Sequence, residues 1–103
     1  MEQIERIRDM ESCLDASEKA IRELSEALSA YEEAQLQYRK LSDYYGSDQW
    51  MRDYADDEAG KLPRDLKRGV LSEDGVYDLI TENRELLVRM LRLVTTALET
   101  DGL

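Results

Sequence analysis

Residues 1–45 read MEQIERIRDMESCLDASEKAIRELSEALSAYEEAQLQYRKLSDYY, and this stretch decides the fold. It contains no glycine and no proline, the two residues that most disfavour a helix interior. Its apolar residues recur at heptad spacing. One column is Ile7, Leu14, Ile21 and Leu28. A second is Met10, Ser17, Leu24, Tyr31 and Tyr38, and a third is Cys13, Ala20, Ala27, Ala34 and Leu41. The three columns lie side by side on a helix and make a stripe wider than a minimal coiled-coil seam. The pattern predicts one helix over about 3–45, roughly 60 Å long at the α-helical rise. A helix of that length needs its apolar face covered, because propensity alone does not stabilise it.

The cover is expected from the residues that follow. Gly46 breaks the helix, and Ser47 or Asp48 is placed to cap a short helix through Gln49–Ala55 that ends at Gly60. Pro63 suits the first turn of another short helical piece, with Gly69 just beyond it. Ser72 is the expected cap of the last helix, and Glu73 and Asp74 place negative charge at the positive end of its dipole. Leu71 and Val76 have the spacing of a hydrophobic staple across that cap. The stripe of the last helix then runs Val76, Leu79/Ile80, Asn83, Leu86/Leu87, Met90, Leu93/Val94 and Ala97, until Gly102 stops it. The expected fold is all-α and a single domain. A long N-terminal helix (about 3–45) and a returning helix (72–100) form an antiparallel hairpin, with a short helical connector (46–71) packed across it. A returning helix of roughly 40 Å cannot cover the first one. That mismatch points to a homodimer.

The connector and its flanks resemble a known family. The carrying residues are Leu41-Ser42-Asp43-Tyr44-Tyr45, Gln49-Trp50, Asp57-Glu58-Ala59-Gly60-Lys61-Leu62-Pro63 and Asp65-Leu66-Lys67-Arg68-Gly69-Val70-Leu71-Ser72-Glu73-Asp74. The likeness continues through Tyr77-Asp78-Leu79, Asn83-Arg84-Glu85-Leu86-Leu87 and Arg89-Met90-Leu91. Together they resemble a small bacterial family known as domain of unknown function 4298. The resemblance implies a small helical domain and carries no catalytic residues.

Composition narrows the chemistry. The 103 residues include no His and one Cys, with 14 basic against 24 acidic side chains for a net charge of −10. Without His there is no Ser-His-Asp triad, no His-based zinc site and no Glu-x-x-His di-iron site. One Cys excludes an internal disulfide and Cys-rich metal sites. The acidic balance argues against direct nucleic-acid binding, which needs a basic face to displace counterions. No apolar run approaches the ~20 residues of a membrane span. With no secretory h-region, the expected location is cytoplasmic. No cofactor is expected.

Three constellations remain. Glu23/Glu26, Asp53/Asp56 and Glu82/Glu85 have the Glu-x-x-Glu spacing that some helical phosphohydrolases use for magnesium. Glu23, Glu26 and Glu85, however, fall on the solvent side of their stripes. Glu2–Arg6, Asp15–Lys19, Glu18–Arg22 and Glu85–Arg89 are spaced for ordinary surface pairs. Six of the seven aromatic rings, including Tyr44, Tyr45, Trp50 and Tyr54, fall within residues 31–54. They read either as a satellite core or as a partner-binding patch. Residues 61–68 form a basic patch with Lys61, Arg64, Lys67 and Arg68, which either pairs internally or receives an anionic group. Asn83, within an apolar stripe, reads as a structural polar residue that must be hydrogen-bonded. Cys13 reads as a core or interface residue.

The sequence therefore points to a non-catalytic helical protein–protein interaction domain. Candidate contacts are Tyr44, Tyr45, Trp50, Tyr54, Lys61, Arg64, Lys67 and Arg68, and the protein partner is unidentified. The alternative is a magnesium-dependent, carboxylate-based phosphohydrolase of all-helical type, and the third reading is an acidic mimic of nucleic acid.

Overall fold

A computed structural model describes residues 2–101. Its elements are α1 (Glu2–Tyr44), α2 (Asp48–Glu58), a 3-10 turn (Gly69–Leu71) and α3 (Gly75–Thr100), with no strand among the described residues. Gly102, the expected stop of the last helix, lies outside the described residues. The chain divides into two compact units, Met1–Tyr38 and Arg39–Leu103.

The first unit is helix throughout its described residues, and α1 buries none of its side chains. Ile4, Ile7, Met10, Leu14, Ile21, Leu24 and Leu28 are 39–68% exposed. Cys13 is an exposed free thiol. Tyr31, Gln35 and Tyr38 are half-buried. Of the four expected surface pairs, none forms among the described residues. Lys19 instead pairs with Glu23 at 3.9 Å, both well exposed.

The second unit is built by caps. Gly46 takes φ 81°, a left-handed conformation that costs glycine little, and turns the chain from α1 into α2. The Ser47 hydroxyl donates to the Tyr44 carbonyl at 2.6 Å and accepts from the Trp50 N–H at 3.2 Å. One side chain thus closes α1 and opens α2. At the far end of α2, Gly60 has φ 71°. Its N–H donates to the Asp57 carbonyl and the Lys61 N–H to the Asp56 carbonyl, the paired bonds of a Schellman stop.

Ser72 repeats the device of Ser47. Its hydroxyl donates to the Gly69 carbonyl at 2.8 Å and accepts from the Gly75 N–H at 3.0 Å, joining the 3-10 turn to α3. Regular α3 starts three residues later than the expected cap, yet Ser72 does the capping. Leu71 and Val76, the two staple positions, are the only buried apolar residues among the described ones, at 6% and 3% exposure.

One expectation is corrected. The segment after Pro63 is a turn, with the Leu66 N–H on the Pro63 carbonyl, and helical geometry begins only at Gly69. The Arg68 guanidinium folds back onto the Pro63 and Arg64 carbonyls and holds the segment in this turn. The long and returning helices occur in the expected order, with the short α2 between them. Besides the exposed face of α1, Leu86, Leu87, Leu93 and Val94 of α3 remain 42–63% exposed. Periodicity specifies which face of each helix is apolar; it does not specify what covers that face.

Candidate functional site

The connector brings four of the predicted residues together. Trp50 lies near the start of α2, where its ring meets Tyr45 edge-on at a centroid distance of 5.2 Å. One helical turn later, Tyr54 stacks on the indole at 5.1 Å and 21°. Each polar tip finds a partner. The Trp50 Nε1–H donates to the Val70 carbonyl at 2.8 Å. Tyr45 donates to the Glu73 carbonyl at 3.4 Å, and Tyr54 to the Glu73 carboxylate at 3.1 Å. Tyr44 donates to Asp53 at 2.6 Å. The four rings are half-buried. They tie α2 to the end of α1, to the 3-10 turn and to the entry of α3.

These bonds shift two phenols in one direction. The carboxylate of Asp53 accepts the Tyr44 proton and opposes its loss, so the Tyr44 pKa is pushed up to about 12. Tyr54 is raised by its hydrogen bond to Glu73, with the nearby charge of Glu58 acting in the same direction. Neither ring is prepared to act as a base near neutral pH.

The basic residues divide into two kinds. Arg68 is half-buried and bound from several sides. Its guanidinium pairs with Asp57 and donates to the carbonyls of Pro63 at 2.8 Å and Arg64 at 3.1 Å. A planar fork of five donors suits this role, and a lysine could not reproduce it. Lys61 lies 3.8 Å from Asp56 in an exposed pair. Among the described residues, the side chains of Arg64 and Lys67 make no hydrogen bond or ion pair. Asn83 is half-buried on α3.

Lys67 stands beside a groove of about 450 Å³ walled by Leu41, Val70, Val76 and Leu79, with Gly69 and Gly75 contributing backbone. This groove was not foreseen. Its walls come from four places in the sequence, and only the two glycines hint at a close approach. A second unforeseen feature is a ridge on α3, where Arg84, Arg89 and Arg92 border a shallow hollow with Val88 and Glu85.

Three of the paired carboxylates have partners of their own. Asp53 accepts from Tyr44, Asp56 faces Lys61 and Glu23 faces Lys19. Among the described residues no three acidic or Cys side chains converge where a cation would sit, and no helix is long and apolar enough to cross a membrane.

No curated protein and no solved structure matches the chain. Residues 7–93 match the family described as a domain of unknown function, DUF4298. That span covers all of α2, the 3-10 turn and the aromatic cluster, with most of α1 and α3, and the chain belongs to the DUF4298 family.

Proposed function

We propose that the chain is a non-catalytic helical protein–protein interaction domain. One observation carries the reading: the apolar face of α1 from Ile4 to Leu28 is open along its length, with seven large side chains 39–68% exposed. A contiguous apolar face of this kind marks an interaction site on a soluble protein. The aromatic cluster serves this role as a joint. Its rings satisfy one another and the local backbone, and so hold the connector in one conformation. Arg64 and Lys67, exposed at the connector surface, are secondary contacts for an acidic partner. A second copy of the chain fits as partner, since α1 with 43 residues far outruns α3 with 26.

The test is affinity capture from the native cell with wild type, Leu24→Asp and Trp50→Ala, each first checked for helix content by circular dichroism. Leu24→Asp is expected to lose the captured set while keeping the second unit folded. Capture of the same proteins by wild type and Leu24→Asp would overturn the reading.

A further inference from the structure

We infer that two copies of this chain pair through residues 4–28 of α1 as a parallel, in-register coiled coil. This deepens the proposed function and rests on it. The apolar columns repeat every seven residues over four turns of the pattern, the period of a left-handed two-stranded seam. Ile7, Leu14, Ile21 and Leu28 take the first core position; Met10, Ser17 and Leu24 take the second. β-Branched residues at the first position with Leu at the second favour two parallel strands, and Ile7, Ile21 and Leu24 follow that rule.

Surface area and charge agree with this occupant. The seven half-exposed side chains offer roughly 600 Å² per copy, so a pair buries about 1,200 Å², the lower bound of a specific interface. Flanking charge then selects the orientation. Within this segment one flank carries Ile4, Glu11, Glu18 and Ser25; the other carries Arg6, Cys13, Ala20 and Ala27. In an antiparallel pair each flank faces itself, which sets glutamates against glutamates. In a parallel pair the acidic flank faces the small and basic one, and Arg6 of each copy meets Glu11 of the other. Like charges are separated and one opposite pair forms at each edge.

The experiment is sedimentation equilibrium of the full chain across the micromolar range, with circular dichroism on the same samples. A mass of twice 12.0 kDa is expected. Leu14→Asp should weaken association by roughly 100-fold or more, whereas Ser12→Asp, which adds the same charge off the stripe, should not. Orientation is read separately with Ile7→Cys in a Cys13→Ser background. In register, the two sulfurs share a layer and oxidise to a linked dimer; in an antiparallel pair they stand roughly 25 Å apart. A dimer that does not cross-link overturns the parallel arrangement. A wild-type chain that stays monomeric with full helix content overturns self-pairing. The interaction-domain reading still stands in that case if Leu24→Asp loses a captured partner, and falls if it does not.

Discussion

Gly75 shows how little room the α3 entry leaves. A Cβ there would stand 2.6 Å from the Ser72 hydroxyl and 2.9 Å from the Gly69 carbonyl oxygen. Alanine is ordinarily the better helix former by about 1 kcal/mol. Here the clash with backbone and with the capping hydroxyl wins, and Gly75→Ala is expected to destabilise the second unit by about 1–2 kcal/mol in urea unfolding. A gain of stability would show that the turn yields. Arg68 is the other sensitive residue. Arg68→Lys keeps the charge but cannot serve Asp57 and two carbonyls at once, and a loss of about 1–3 kcal/mol is expected by the same measurement. Tyr44 adds a pH dependence. Its pKa rises from 10.0 to about 12 through the bond to Asp53, so the protonated phenol is the form that the fold favours. The stability it contributes is complete below pH 10 and is lost as pH rises towards 12. Spectrophotometric titration should find Tyr44 ionising well above pH 10, and Asp53→Asn should bring it down.

At the level of elements, the local signals were legible and the distant ones were not. Ser47, Ser72, Gly60 and the Leu71/Val76 staple act over three to five residues, and each could be read from its neighbours. The aromatic cluster could be located as a crowd of rings, and its satisfied tips fit a satellite core. Its partners could not be named, because Trp50 reaches Val70 across 20 positions and Tyr54 reaches Glu73 across 19. The groove beside Lys67 was illegible for the same reason. Trp50→Ala removes the ring that α2 shares with Tyr45 and Tyr54, as well as the bond to the 3-10 turn. A cost of about 2–4 kcal/mol is expected. Hydrogen exchange should quicken in α2 and at Gly69–Leu71 while residues 2–30 are unchanged.

For the whole molecule, charge and apolar surface act against each other. Each copy carries −10, and two such copies repel at low ionic strength. The stripe attracts through area, which salt does not screen. Raising salt from a few millimolar to physiological strength is therefore expected to tighten association in sedimentation. Weakening would mean that the Arg6–Glu11 contacts outweigh the net repulsion. The overall charge also conceals its distribution: −5 over residues 1–45, −1 over 46–72 and −4 over 73–103.

The strap formed by Arg68 carries one more consequence, for enzymatic digestion. Residues 61–68 place four trypsin sites in one exposed loop, after Lys61, Arg64, Lys67 and Arg68. Three of these side chains reach into solvent, but the fourth is half-buried and tethered to Asp57. Brief trypsin treatment of the native chain should nick after Lys61, Arg64 or Lys67 and spare the bond after Arg68. The order of those cuts then reports whether the connector is closed, without any knowledge of what the protein binds.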